Sequence, residues 1–206
     1  MIFPESFSPP APPATSSLGH SIQVSFWAAA PPSVSYLCVH CPCATESEDS
    51  GFEHEPRLVG AEGRFVLLCV RFADDGELFM YKGDPVSPSL ELVPLPHSDG
   101  VPQVKEFGIV PPGDDGHYLL VARCLASFKP PFDDELHIYS SVDQTWSIKP
   151  LPNAPGAEHT VKDKVITLGE GVLGWVDLRK GVVVRDVLRE PFDVRFIPLP
   201  PPMPEK

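Results

Sequence analysis

The sequence predicts an all-β fold, and three observations carry that expectation. Prolines number 27 in 206 residues, more than twice the average usage of about 5%. Each removes a backbone donor and fixes φ, so their density argues against long helices. Apolar residues gather in short runs broken by Asp, Gly and Pro, and no segment sustains a helical period of about 3.6 residues. Third, Leu92-Val93-Pro94-Leu95-Pro96 recurs in similar form as Ile148-Lys149-Pro150-Leu151-Pro152 and as Phe196-Ile197-Pro198-Leu199-Pro200.

Taken in order, Ser8 to Ser17 is Pro, Ser and Ala with little else. That composition has little apolar surface to offset chain entropy. Residues 1–21 are therefore expected to be a disordered tail, and 22–206 one β domain. Thr45 to Glu55 is polar and acidic and reads as a mobile loop. Phe65 to Val70 is a buried strand, and Leu78 to Tyr81 is another. Between them Ala73-Asp74-Asp75-Gly76 is a hairpin signal, because Asp-Gly supplies positive φ. Tyr118 to Leu125 repeats the first run after a second Asp-Asp-Gly, Asp114 to Gly116. Leu136 to Tyr139, Trp146 to Ile148, Val165 to Leu168, Val172 to Leu178 and Val182 to Val187 complete the strands.

The central leucines of the closing motif, Leu95, Leu151 and Leu199, stand about 50 residues apart, the spacing of propeller blades. A strand that ends in proline suits a sheet edge, since proline cannot donate to a ladder. The expectation is a partial β-propeller-like stack of about three blades, with part of another from Val34 to Val39. A closed ring needs roughly four to eight blades, so the domain reads as incomplete. A β-sandwich is the alternative, because strands at this spacing also suit it.

The formal net charge is −12, which repels phosphate backbones. Arg179-Lys180 is the only adjacent basic pair, so a nucleic-acid partner is not expected. The N-terminus has no basic region followed by an apolar stretch. No run approaches the roughly 18 apolar residues of a membrane-spanning helix, so no membrane role is expected. Five cysteines, an odd number, fit free thiols in a reducing compartment, cytoplasmic or nuclear.

Several motifs bear on chemistry. Gly169-Glu170-Gly171-Val172-Leu173-Gly174 matches a phosphate-binding glycine pattern. A dinucleotide site needs a helix after the glycines, whereas Trp175 to Leu178 reads as a strand, so a glycine-rich hairpin is expected. Cys38-Val39-His40-Cys41-Pro42-Cys43 is a dense set of soft ligands without a second pair, and it reads as a strand end with ordinary thiols. His54-Glu55 is followed by Pro56, which blocks a metalloprotease helix. Asp114-Asp115 and Asp133-Asp134 are expected in turns as solvated pairs. Trp146 and Trp175 are expected at comparable core positions of two blocks, with Trp27 partly buried. No catalytic, cofactor-binding or metal-binding residue is assigned, and no enzymatic activity is expected.

Three stretches carry a resemblance: Pro31 to His40, then Asp134 to Ser141 with Thr145-Trp146-Ser147, then Gly174 to Leu178 with Gly181 and Asp186-Val187-Leu188. They look like the N-terminal opening, the central signature and the start of the named domain of a plant family expanded in grasses, domain of unknown function 1618. Family members often carry an aromatic at the position of Arg179 and a small residue at that of Arg185, and they continue beyond the final Pro-Leu-Pro. The resemblance implies a grass protein, a propeller-like fold similar to F-box-associated domains, and no catalytic residues. By fold analogy such propellers recruit ligase substrates, although the first thirty residues hold no F-box. A non-catalytic module for an unknown protein partner is the leading expectation. A truncated gene product and an enzyme with an unrecognised site are the alternatives. Open blade faces, Val34 to Val39 at one end and Val182 to Val187 at the other, are expected to favour self-association, with Arg185 and Asp186 beside the second face.

Overall fold

A computed structural model describes residues 6–7, 9–42, 52–72, 75–95, 107–111, 113, 115–125, 134–151, 164–189 and 194–200. Among the described residues the chain is all-β, with sixteen strands in four antiparallel sheets. It divides into two compact units, residues 1–101 and 102–206.

The first unit holds two sheets. β3 (Ser21–Ala28) is the centre of one, with β1 (Ser6–Phe7) and β2 (Ala14–Thr15) along one side and β4 (Tyr36–His40) along the other. The other is a four-stranded meander of β5 (His54–Glu62), β6 (Phe65–Phe72), β7 (Asp75–Lys82) and β8 (Ser89–Val93). β6 and β7 read as continuous apolar runs because both their faces are buried. Leu68, Val70, Phe72, Phe79 and Tyr81 on one face pack with Ala11, Ile22 and Val24 of the first sheet. Leu67, Cys69, Leu78 and Met80, on the opposite face, are also buried.

The second unit repeats the meander twice. One sheet runs β9 (Gly108–Val110), β10 (Leu119–Leu125), β11 (Asp134–Ser140), β12 (Thr145–Leu151), and the other β13 (Lys164–Gly169), β14 (Val172–Asp177), β15 (Gly181–Asp186), β16 (Val194–Pro198). Val110, Val121, Leu136, Ile138 and Leu151 of the first face Leu173, Trp175, Val183 and Val187 of the second. Gly108 permits this approach, since a β-carbon there would overlap the Leu173 side chain. Thr167 Oγ1 donates to the Ile109 carbonyl at 3.5 Å across the same junction.

The closing motif marks what the sequence indicated. β8, β12 and β16 are each the last strand of a sheet, at its edge, with Pro94 following β8, and Pro150 and Pro198 inside β12 and β16. The runs at 65–70, 78–81, 118–121 and 136–139 are inner and buried.

Four features differ from expectation. Sheets number four rather than about three, because residues before Val34 build most of the first one. The Pro/Ser/Ala segment is part of it. Ala11 is fully buried, its N–H donates to the Val24 carbonyl at 3.0 Å, and β2 pairs with β3, because small side chains fit a close approach to the neighbouring sheet. His54 and Glu55 lie in β5, a strand too polar to stand out in sequence, and residues 45–51 of the expected loop lie outside the described residues. Asp75-Gly76 belongs to β7, with Phe72 opposite Asp75, and residues 73–74 of the expected turn lie outside the described residues. At the second Asp-Asp-Gly, Gly116 does adopt a positive φ of 85°.

Candidate functional site

The most elaborate polar arrangement in the second unit lies on β10 and β11. Arg123 sits inside the apolar run of β10, 5% exposed, and its Nε donates to Asp134 Oδ2 at 2.7 Å, with Nη2 making a second contact to the same oxygen. Asp134 begins β11 and is buried, so it is not the solvated turn carboxylate that the sequence suggested. Asp133 lies outside the described residues. The position of Asp134 follows from pairing: Leu125 stands opposite it, and Arg123 reaches diagonally on the same face. On the other face Glu135 and His137 meet, Oε1 to Nε2 at 2.7 Å, with Cys124 directly across from Glu135. Both contacts fasten neighbouring side chains within one sheet.

Arg185 is 1% exposed on the face of β15 that meets the opposing sheet. It therefore does not guard an open surface as expected. Only Asp186 of that pair, half-buried on the outer face, stands near solvent. Asp177 is buried where β14 ends, and its Oδ1 accepts the N–H of Arg179 at 2.8 Å and of Lys180 at 3.2 Å.

The glycine motif is a hairpin between β13 and β14. Gly169, Glu170 and Gly171 have positive φ of 98°, 44° and 85°, and a strand follows, so no helix N-terminus is present to hold a phosphate. Cys38 and His40 lie on β4, and Cys41 is buried just past its end. Cys43 lies outside the described residues. Among the described residues no group of three His, Cys, Asp or Glu side chains is placed to hold a metal ion. Of the first acidic pair only Asp115 is described, exposed and accepting the His117 N–H at 3.1 Å. The tryptophans are not equivalent. Trp175 is in the core on inner strand β14, whereas Trp146 is partly exposed on edge strand β12 against Tyr139. Trp27 is partly exposed and stacks on Tyr36.

A different feature recurs in every sheet. Among the described residues, the connection into the last strand carries an exposed aliphatic side chain in each: Val34 (80%), Val86 (86%), Val142 (63%) and Leu188 (45%). A Ser or Asp side chain braces each connection. Ser35 Oγ accepts the Ala29 N–H at 3.0 Å, and Asp84 Oδ1 accepts those of Val86 and Ser87 at 2.9 and 2.8 Å. Ser140 Oγ donates to Asp143 Oδ2 at 2.9 Å, and Asp186 Oδ1 accepts the Leu188 N–H at 3.0 Å. The backbone donors of Ser87 and Val86 hold the Asp84 carboxyl below the usual carboxylate range. Sequence reading singled out Val34 and Val187 nearby but not this recurrence, which shows only once the sheets are aligned by topology.

The chain is thus an all-β protein of four consecutive antiparallel sheets, with no helix among the described residues long and apolar enough to cross a membrane. No family model, no curated protein and no solved structure matches it.

Proposed function

We propose that this chain is a non-catalytic protein-interaction module, and that the braced turns into the last strands are its contact points. The observation that carries this reading is the recurrence of an exposed Val or Leu at the same topological place in all four sheets. An aliphatic side chain on a fixed turn loses little further entropy on binding and offers apolar area to a partner. The resemblance to domain of unknown function 1618 supports the same reading, with a propeller-like stacking of the sheets and a cytoplasmic or nuclear setting. The test is affinity capture with the full chain and with a variant in which Val34, Val86, Val142 and Leu188 are all replaced by Ser. A reproducible partner held by the first and lost from the folded second supports the module. A partner held equally by both removes the turns from the interface.

Self-association is a second reading, and one observation favours it. The outer face of the last sheet carries Ile166, Val172, Val176, Val182 and Val184 half-buried, with Ile197 54% exposed. Apolar residues on both faces suit a sheet that is covered on both.

A further inference from the structure

The most unusual buried group in the first unit is Glu77. It is 5% exposed and lies on β7 on the face that carries Phe79 and Tyr81, the face packed against the first sheet. Its Oε1 accepts the backbone N–H of Ser17 at 2.8 Å and also the Ser17 hydroxyl. Its Oε2 is buried and has no hydrogen-bond partner among the described residues. Ser17 belongs to the tight turn joining β2 to β3. There the Gly19 N–H donates to the Ser16 carbonyl at 3.0 Å and the His20 N–H to Ser16 Oγ at 2.9 Å. His20 stacks on Phe72 of β6, with ring centroids 4.5 Å apart. Ser16 is buried, whereas Ser17 is exposed.

This arrangement is poised. A carboxylate taken into an apolar interface is costly unless its oxygens are hydrogen-bonded. Here one oxygen is satisfied, by Ser17, and the other has no partner among the described residues, so the seating of the turn depends on Ser17 remaining a donor. A phosphoryl group would turn that hydroxyl into a dianionic acceptor facing a buried anion. Like-charge repulsion and desolvation would then both oppose the docked state.

We propose that Ser17 is a modification site whose phosphorylation unseats the β2–β3 turn from the second sheet. In the chemical step the Ser17 hydroxyl oxygen attacks the γ-phosphorus of a nucleoside triphosphate held by a protein kinase. An O–P bond forms, the bridging β–γ P–O bond breaks, the nucleoside diphosphate leaves with the electron pair, and the hydroxyl proton passes to the kinase's base. The exposed turn admits the enzyme, and the partly satisfied Glu77 supplies the response.

The test uses the full chain with phosphoserine genetically encoded at position 17, read by amide hydrogen exchange. The amides of Ala11 and Ser16, which donate to the Val24 and His20 carbonyls, report the docked turn. Their exchange is expected to rise about tenfold or more, while amides of β10 and β11 stay unchanged as a check on folding. In Glu77→Gln, whose side-chain amide can donate to phosphate, the same modification is expected to accelerate exchange by only about twofold. Glu77→Met serves as a second uncharged background. Equal acceleration with and without the Glu77 charge, or none at all, overturns the proposal. Mass spectrometry of the protein from the cells that make it tests the modification itself. Phosphate on Ser17 supports it, and protein without phosphate at Ser17 overturns it.

Discussion

Single residues carry costs that their strands conceal. Tyr81 is 2% exposed and its hydroxyl has no hydrogen-bond partner among the described residues, and burial raises its pKa. A phenol whose folded pKa lies above its unfolded value contributes stability that is intact below about pH 10 and is lost as pH rises through the folded pKa. Urea denaturation should therefore show a fall in stability above pH 10 that Tyr81→Phe lessens. At pH 7 the same variant should be as stable as the parent or more stable by up to ~1 kcal/mol. The Arg123–Asp134 pair obeys a different rule, because both side chains are almost wholly buried. Asp134→Ala leaves a buried cation and should cost about 3–5 kcal/mol, whereas replacing both by Met and Leu should be neutral or stabilising. A double-mutant cycle in urea checks both outcomes.

At the scale of the element, the inner strands and the last hairpin set the sheets. Leu68 is 3% exposed on β6, between the two sheets of the first unit, so Leu68→Ala should cost about 2–5 kcal/mol. A loss below about 1 kcal/mol would place it outside the core. Gly181 opens β15 at a φ of 156°, where a β-carbon would run into the Ile197 carbonyl oxygen. Gly181→Ala should therefore separate β15 from β16 and cost upwards of about 2 kcal/mol, measured by thermal denaturation. These elements were legible as apolar runs because both faces of the inner strands are buried. β5 was not, because His54, Glu55 and Arg57 face solvent along an outer strand. β9 escaped notice because only three residues, Gly108 to Val110, make it.

For the whole molecule, the outer face of the last sheet bears on association. Ile166, Val172, Val176, Val182, Val184 and Ile197 share it, with Lys164, Asp186 and Arg195 at its margins. The net charge of −12 opposes self-association at low salt, and screening shortens its reach to about 8 Å at physiological ionic strength. Sedimentation velocity should show species larger than monomer, more of them as salt rises, and fewer with Val182→Lys and Ile197→Lys together. A sharp monomer peak at every salt concentration would remove self-association from the proposed properties. The turn residues make a separate expectation, since Val34, Val86 and Val142 belong to other sheets and their replacement by Ser should leave the sedimentation profile unchanged.

The sequence by itself determined the fold class, the inner strands of the three meanders and their closing edges. Proline density, strand-length apolar runs and the recurring Pro-Leu-Pro are local properties, and each acts through the backbone of the segment that contains it. Only the tertiary structure decided that Ala11 belongs to a core, that Arg123 and Asp134 are partners, that Arg185 points inward and that Ser17 docks on Glu77. Ser17 and Glu77 are 60 positions apart, and Arg123 and Asp134 meet through the register of a hairpin. The reason is physical: an isolated polar or small residue has no preferred face of its own. Which face it takes is set by strand register and by the sheet that packs against it.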